Sequence, residues 1–339
     1  MDPYVKRITT RKSKNNWHLF HGDGISWDEG LSLLKSPPYT QSYNWGCYKA
    51  QTGWGVIRCV STKGGNVKTM AQCFYKNYFF GFTLVLCPGG PVGDLSLVNK
   101  DFFELIKRAT KAKILYIRVR PHVLYNLNDF LMLIDSGWRR PSFLHSKGWT
   151  MVLNISSNEW KSRIKRNWKR NLNHSNSCKL TTRIMSPVSS SKIFSLYGQV
   201  EKYKKIRQQF SKRQIDEILN NNNNRIIVVE GRDSEDKTIG IRAAIMFNNE
   251  AWDLFAATSD SGRKTHVSYA LFIALLNECK KHNIALYDLA GIDPINNSGV
   301  YSFKRGTGAE LYEYLGEFEM STSRLVDWLV NFYLKNIKK

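Results

Sequence analysis

The sequence predicts a mixed α+β protein built from two packed domains, and three observations support this fold class. The chain has 339 residues, 42% of them hydrophobic, which is enough for two cores. Apolar, β-branched runs alternate with helical segments in both halves of the chain. A turn-rich stretch, Gly137 to Gly148, leads into a new strand at Trp149, where we place the domain boundary.

The first half contains strand-like runs separated by a helical segment near Asp101 to Ala112. The longest apolar run, Tyr78 to Cys87, is predicted to be an interior strand because it is about half as long as the roughly twenty residues that cross a bilayer. The predicted strands are Gly55 to Val60, Phe79 to Leu86 and Ile114 to Val119.

The second half begins with the strand Trp149 to Ile155, and a predicted helix follows it. In this helix Trp160, Ile164, Trp168 and Leu172 recur at every fourth position, which predicts one packed side. The remaining faces form a cationic surface that suits a phosphate backbone such as that of tRNA, although a solvated basic face would have the same pattern. The cations of this surface are Lys161, Arg163, Lys165, Arg166, Lys169 and Arg170.

A second predicted helix, Tyr203 to Leu219, precedes three strands, a helix at His266 to Lys281 and a strand at Ile284 to Leu289. The three strands are Arg225 to Glu230, Ile239 to Phe247 and Ala251 to Thr258. This β-loop-α-β order is the core of the GNAT acetyltransferase fold. The sequence has neither a GxxxxGK[ST] nor a GxGxxG phosphate loop, which argues against a nucleotide hydrolase or a dinucleotide enzyme.

Charge and cysteine usage indicate the partners and the compartment. Lys and Arg total 50 against 28 Asp and Glu, and the resulting charge of +22 favours polyanions such as RNA, nucleotide phosphates or an anionic membrane surface. A basic protein without a charged partner remains the alternative. Six scattered cysteines and an N-terminus without an apolar leader predict a reducing cytoplasm. His18 and His21 have no second ligand pair, so no metal site is expected.

An amphipathic helix is predicted at the C-terminus. Its apolar face carries Leu325, Trp328, Leu329, Phe332 and Tyr333, and Lys335, Lys338 and Lys339 follow behind. We expect the apolar face to dock onto a domain, and a helix lying on a membrane surface is the alternative.

The stretch Tyr287 to Gly308 is the strongest candidate for a reaction centre. Its buried strand ends in a glycine-rich turn, and Tyr301, Phe303 and Lys304 follow this turn. A lone cation among aromatic rings suits the stabilisation of a developing negative charge, although a structural loop that contains a lysine would look the same.

In the order and spacing of several short motifs, the chain resembles the FemABX aminoacyltransferases, which have two tandem GNAT-like domains and no enzyme-bound cofactor. The motifs span nearly the whole chain: PYTQSYNWGCYK at Pro38 to Lys49, GPV at Gly90 to Val92, RVRP at Arg118 to Pro121, the strand and basic helix at Thr150 to Leu172, RQQF at Arg207 to Phe210, and YDLAGID with SFK. The resemblance implies a first domain at 1–148 completed by the C-terminal helix at 321–339, and a second at 149–320. Ser191 to Leu219 is too short for the long coiled-coil arm of some members.

The resemblance also implies roles for individual residues. Lys49, in the pattern W-x-x-x-K that begins at Trp45, and Arg207 are implied to bind acceptor phosphate. Lys304 is implied to stabilise the oxyanion that forms when an acceptor amine attacks the ester of aminoacyl-tRNA, and Trp45, Tyr301 and Phe303 would line the site. Asp288 and Asp293 lie near Lys304 in the sequence and are candidates for the base, although Asp293 could equally cap its own turn.

The chain departs from the patterns of its relatives at two places. Arg120 precedes Pro121 where the FemABX family usually has an acid. The loop RKTHVSYA, Arg263 to Ala270, has His266 and Ser268 where CoA-dependent GNAT enzymes have glycines, which disfavours CoA as the donor.

We therefore expect transfer from aminoacyl-tRNA to the amine of a nucleotide- or lipid-linked peptidoglycan precursor. The enzyme would be cytoplasmic, with peripheral contact to an anionic membrane. One alternative is CoA-dependent N-acylation of an amino sugar, and another is a non-catalytic scaffold that binds RNA or anionic lipid.

Overall fold

The computed structural model of the chain describes residues 17–146 and 148–337. The N-terminal segment on which the prediction about a leader rests, together with Lys338 and Lys339, therefore lies outside the described residues. The chain divides into two compact units, the first formed by Met1–Gly148 with Glu313–Lys339 and the second by Trp149–Tyr312. Within the described ranges, no helix is long and apolar enough to cross a membrane.

Unit 1 is a seven-stranded sheet in the order β1-β2-β3-β4-β6-β14, with β5 paired to β3. Its strands are β1 Trp17–Leu19, β2 Gly55–Lys63, β3 Asn66–Asn77, β4 Phe82–Gly89, β5 Val92–Gly93, β6 Ile114–Pro121 and β14 Phe318–Ser321. Its helices are α1 Gly24–Ser32, α2 Tyr43–Gln51, α3 Lys100–Thr110, α4 Leu127–Asp135 and α11 Arg324–Ile337.

Unit 2 is a second seven-stranded sheet in the order β13-β7-β12-β11-β10-β9-β8. Its strands are β7 Trp149–Asn154, β8 Thr181–Ile184, β9 Ile226–Arg232, β10 Thr238–Phe247, β11 Glu250–Thr258, β12 Leu286–Gly291 and β13 Glu310–Glu313. Its helices are α5 Arg166–Ser177, α6 Ser190–Lys204, α7 Lys212–Asn221, α8 Asp260–Lys264, α9 Val267–Lys281 and α10 Ser298–Gly306.

The two sheets repeat one topology. In each unit an antiparallel hairpin leads into a strand whose parallel neighbour is reached through a helical crossover. The parallel pair is β4 and β6 in unit 1, joined by α3, and β11 and β12 in unit 2, joined by α9. An antiparallel strand lies on the other side of the second strand of each pair: β14 beside β6 and β7 beside β12. The fold is therefore α+β, and the longest helices of the described residues have 15 residues, too short for a coiled-coil arm.

The chain returns to unit 1 earlier than the expected boundary at residue 320. The reason is β14, which pairs with β6 from Phe318↔Val119 to Ser321↔Tyr116 and so belongs to the first sheet. The division after Gly148 coincides with the expected one.

The prediction of an interior strand from Tyr78 to Cys87 is wrong for the first residues of this run. Strand β4 begins only at Phe82, and the preceding residues form the tip of the β3–β4 hairpin, where Phe79 is 87% and Phe80 94% exposed. Gly81 has a positive φ of 71°, which ends the strand pattern at this tip. A run of apolar residues does not by itself reveal such a turn.

The two helices predicted at the start of unit 2 are also wrong in extent. Trp160 lies in a 3₁₀ turn, Glu159–Arg163, and extended backbone at Ile164 separates this turn from α5, which carries Trp168. Both tryptophans are buried, so the four-residue spacing marks burial across a break rather than one continuous helix. The second prediction, Tyr203 to Leu219, spans the end of α6, a loop and most of α7.

The C-terminal helix α11 packs on unit 1 with the opposite face from the predicted one. Asp327 and Asn331 are its buried residues, whereas Leu325, Trp328, Leu329, Phe332 and Tyr333 are between 49% and 65% exposed. The reason lies beneath the helix, where the sheet presents the charged and polar groups of Arg118 and Glu319 instead of an apolar surface.

Candidate active site

An opening between two parallel strands distinguishes unit 2 from unit 1. Strands β11 and β12 pair only from Glu250↔Leu286 to Trp252↔Asp288, although β11 continues to Thr258. In unit 1 the corresponding strands remain paired from Phe82↔Ile114 to Gly89↔Pro121. The strands of unit 2 therefore separate beyond Trp252, and the second half of β11 has a free edge on this side.

A pocket of about 830 Å³ lies at this opening, wholly within unit 2. The second half of β11 forms its floor, and α6, α8, α10 and the start of α9 form its walls. A β-bulge in the β10–β11 pairing leaves Leu254 without an opposite residue. Such a bulge bends the strand that contains it, here β11. The hydroxyl of Tyr197 accepts a hydrogen bond from the amide of Ala256 at 3.2 Å and so occupies part of the free edge.

Lys304 projects from α10 to the wall of this pocket and is only 6% exposed. Its Nζ donates hydrogen bonds to the carbonyl oxygens of Ala290, at 3.2 Å, and Gly291, at 2.9 Å. These carbonyls end β12, so the glycine-rich turn fixes the position of the cation. Burial lowers the pKa of Lys304, Asp253 and Asp288 oppose this effect, and Arg242 adds to it.

A buried ion pair next to Lys304 is absent from the sequence-based prediction. Arg242 donates from Nε to Asp253 Oδ1 at 2.9 Å and from Nη2 to Oδ2 at 2.6 Å. Its guanidinium also lies over the rings of Phe272 and Phe303, at 4.8 and 5.0 Å. Tyr287 donates to Asp253 Oδ1 at 2.9 Å, and burial raises the pKa of this phenol well above its usual value.

A signal for this pair does exist in the sequence. Arg242 interrupts the apolar run of β10, and Asp253 interrupts that of β11. A charged residue inside an otherwise apolar strand requires a partner, and two neighbouring strands that each carry one predict an ion pair.

The two candidate bases occupy different environments. Asp288 is buried in the middle of β12, where its Oδ1 accepts hydrogen bonds from the hydroxyl of Thr150 and from the amide of Ala290, the latter at 2.7 Å. Asp293 is half-exposed and accepts bonds from the amides of Ile295 and Asn296, both at 3.1 Å, so it caps its own turn. Of the two carboxylates, only Asp288 contributes to the pKa of Lys304.

Of the two aromatic residues that were predicted to line the site beside Lys304, one faces the pocket and the other packs against the core. Phe303 lines the pocket, while Tyr301 is partly buried against the core of unit 2.

The basic segment 161–170 lies next to the helix that carries Lys304. The amide of Lys165 donates to the carbonyl of Gly306 at 3.0 Å, and the Trp168 and Phe303 rings are 5.8 Å apart. The six predicted cations of the segment are all exposed, and Arg163 forms an ion pair with Glu310. The segment therefore places a cationic surface beside the helix that carries Lys304.

The start of α9 carries the residues that replace the glycines of a CoA loop. His266 is the N-cap, with φ at 55°, and its side chain makes no capping hydrogen bond. Its ring stacks on Tyr269 and contacts the ring of His174 at 4.9 Å between centroids. His266 and Ser268 both line the pocket, so side chains occupy the end of α9 where a CoA loop would present glycine backbone.

The two residues implied to bind acceptor phosphate lie in different units. Lys49 is in α2, where its Nζ lies over the rings of Trp45, at 5.8 Å, and Tyr48, at 5.1 Å. Burial, and to a smaller extent the charge of Lys76, lowers the pKa of Lys49. Arg207 is exposed in the loop between α6 and α7 of unit 2.

Arg120, at the position of the missing acid, is half-exposed near the end of β6. Its neighbour His122 contacts the hydroxyl of Tyr314 through Nε2 at 3.2 Å. Burial, and secondarily the charge of Arg120, lowers the pKa of His122 to about 3, so the imidazole is neutral at physiological pH.

Solved structures share this two-unit architecture. The crystal structure of FemX superposes with a TM-score of 0.82 at 16% identity, covering 93% of this chain and all of FemX. L-PGS from Bacillus licheniformis gives 0.55 at 13% identity, covering 94% and 98% of the two chains. A tandem GNAT protein from the clavulanic acid biosynthesis pathway also gives 0.55, at 10% identity, covering 91% and 98%. At these identities the likeness concerns the fold.

Sequence comparison identifies the family. No curated protein sequence matches the chain. The sequence model of the FemAB family matches residues 34–133 and 187–335, most of the chain and parts of both units. The chain thus belongs to the FemAB family, and it is an acyltransferase built from two tandem GNAT-like units.

Proposed function

We propose that this enzyme transfers an amino acid from aminoacyl-tRNA to the amine of a nucleotide- or lipid-linked peptidoglycan precursor. The observation that carries the proposal is Lys304, a buried cation held by two carbonyls at the open end of the parallel strands. Membership of the FemAB family supports the choice of an aminoacyl group.

The proposed reaction needs a positioned cation more than it needs a nucleophile from the enzyme. The neutral acceptor amine attacks the ester carbonyl carbon, its oxygen becomes an oxyanion, and the bond to the tRNA ribose oxygen then breaks. The ammonium of Lys304 would stabilise the oxyanion, and its burial reduces the screening of its charge by solvent. The amine proton ends on the departing ribose hydroxyl, and Asp288 is the better of the two candidate carriers because its charge raises the pKa of Lys304, whereas Asp293 caps its own turn.

The donor distinguishes this proposal from CoA-dependent acylation. The ring of His266 and the side chain of Ser268 at the start of α9 leave less space for a pyrophosphate than glycines would. The exposed cations beside α10 suit a polynucleotide instead. In the reaction scheme, no bound cofactor is required.

A transfer assay with two donor classes tests the proposal. The purified protein is supplied with a uridine-nucleotide-linked peptidoglycan precursor and either a set of radiolabelled aminoacyl-tRNAs or a set of acyl-CoAs. We expect labelled precursor only from an aminoacyl-tRNA. Transfer from acyl-CoA alone would replace this proposal with CoA-dependent acylation, and RNA binding without turnover of any donor would favour the non-catalytic scaffold.

The pH dependence of transfer should reveal the lowered pKa of Lys304. Because burial favours the neutral amine, the stabilising charge is present below this pKa and is lost as pH rises through it, at a lower pH than for an ordinary lysine. Single-turnover rates, corrected for hydrolysis of the ester, should therefore fall on the alkaline side. In Lys304→Arg the guanidinium stays protonated, so any residual activity should lack this decline. An unchanged alkaline decline in that variant would assign it to another group.

The basic segment should determine how tightly tRNA binds. We expect the variant Lys165→Ala/Arg166→Ala/Lys169→Ala/Arg170→Ala to bind tRNA more weakly. The slope of log K against log salt should shrink by about one for each phosphate that the variant no longer neutralises. Lys237→Ala/Lys281→Ala, two exposed lysines outside the segment, is the control and should keep the original slope. Equal slopes for all three proteins would show that tRNA binds elsewhere.

A further inference from the structure

One end of unit 1 exposes two apolar segments. The first is the hairpin tip Tyr78–Phe80, and the second is the outward face of α11, which includes Trp328 and Phe332. Strands β4 and β6 are parallel, and β14 is antiparallel to β6, so the start of β4, the start of β6 and the end of β14 meet at the same end of the sheet. The hairpin tip precedes β4 and α11 follows β14, so the tip and the first turn of α11 flank this end, and α11 then runs back over the sheet until Asn331 reaches Arg118. We call the tip and the outward face of α11 together the aromatic end.

The aromatic end is held in place by polar contacts on its inner side. Asp327 of α11 pairs with Arg139, and Asn331 accepts a hydrogen bond from Arg118 Nη2 at 3.0 Å. On the outer side, the Trp328 and Phe332 rings stack 5.6 Å apart with their faces near parallel. The Tyr78 ring packs on Phe82, 5.7 Å away, which leaves Phe79 and Phe80 to project from the tip. Exposed aromatic side chains that cluster in this way mark an interaction site.

Cations surround the aromatic end almost without acids. Arg108, Lys111 and Lys113 are exposed between α3 and β6, and Arg324 and Lys335 are exposed on α11. The segments 76–84, 105–120 and 322–337 contain a single acid, Asp327, which is buried against Arg139. Aromatic and leucine side chains with a rim of cations fit the interface of an anionic bilayer.

The same charges argue against a second copy of the chain as the occupant of this surface. A two-fold dimer through the aromatic end would bring the cationic rims of both copies together, and like charges across an interface are repulsive. A bilayer of anionic lipid instead neutralises the rim while it buries the aromatic rings.

We propose that the aromatic end docks unit 1 onto the surface of an anionic membrane, with Phe79, Phe80 and the outer face of α11 in the headgroup region. Such docking places the enzyme beside lipid-linked substrates without a membrane-spanning segment. It is a separate activity from acyl transfer, because it involves neither Lys304 nor the pocket of unit 2.

Vesicle co-sedimentation tests this docking independently of the catalysed reaction. The full chain is mixed with phosphatidylcholine vesicles that contain phosphatidylglycerol, and with phosphatidylcholine alone. We expect strong preference for the anionic vesicles. Phe79→Ser/Phe80→Ser and Trp328→Ser/Phe332→Ser should each lower the partition coefficient about tenfold or more. Lys111→Glu/Lys113→Glu should lower it at least about fivefold per cation on anionic vesicles only.

Leu127→Ser is the matched control, since Leu127 is 57% exposed but lies beyond the opposite end of β6. It should bind anionic vesicles like the unaltered chain, and all variants should keep the original melting temperature because the replaced side chains are exposed. Absence of vesicle binding, or equal binding by all variants, would overturn the proposal. A dimer that the serine variants dissociate, without any vesicle binding, would assign the surface to a second copy instead.

Discussion

Replacement of Lys304 by alanine is expected to lower kcat by about 10²- to 10³-fold, the usual effect of removing one donor that stabilises an oxyanion. The reason is the fixed position of the ammonium, which the carbonyl oxygens of Ala290 and Gly291 hold at the wall of the pocket before any substrate binds. Because the charge matters more in the transition state than in the bound ester, KM should change much less than kcat. The measurement is the steady-state transfer of a labelled amino acid to the precursor.

Two further variants make this experiment specific. Lys281→Ala removes an exposed lysine of the same unit, paired with Glu278 on its own helix, and should retain full activity. Lys304→Met keeps the length of the side chain without its charge, so it should lose activity as Lys304→Ala does. If Lys304→Met retained most of the kcat, the lysine would have a packing role and the oxyanion would be stabilised elsewhere.

Removal of Arg118 should cause the largest loss of stability. This arginine is 4% exposed and pairs with Glu317 at 3.1 Å and Glu319 at 3.4 Å. It also donates to the hydroxyl of Tyr116 and to Asn331 of α11. In Arg118→Ala two buried carboxylates lose their counter-charge, which typically costs about 3–5 kcal/mol. Denaturant unfolding, followed by a signal from unit 1, should show this decrease in the free energy of unfolding.

The exposed Arg108 provides the comparison for Arg118. Arg108→Ala removes the same type of side chain from the same unit without breaking a buried ion pair, and should change the free energy of unfolding by less than about 0.5 kcal/mol. If Arg118→Ala changed the free energy of unfolding as little as Arg108→Ala, water or other donors would have to satisfy the two glutamates. The network of Arg118 would then not be what holds α11 on the sheet.

The fold class could be predicted from the sequence, and Lys304 could be singled out as a candidate, whereas the geometry around Lys304 could not be predicted. Strand and helix periodicity depends on neighbouring residues, so it located three strands of the first sheet, five strands of the second and the helix α9, but it missed β1, β3, β5, β8, β13 and β14. The ion pair of Arg242 and Asp253 joins two strands through their register, and no spacing along the chain encodes that register directly. Similarly, the four-residue pattern of Trp160 and Trp168 records that both side chains are buried, but not that the backbone breaks between them.

The order of its elements and the FemABX-like motifs in its sequence determined that this protein has two GNAT-like units, and they made Lys304 the candidate for stabilising an oxyanion. Only the tertiary structure decided which parallel pair opens into a pocket, since β11 and β12 separate after Trp252 while β4 and β6 remain paired to Gly89. It also decided which face of α11 is buried. An amphipathic pattern assumes an apolar partner, but the surface beneath this helix is the charged network of Arg118, and the helix therefore turns its polar side inward.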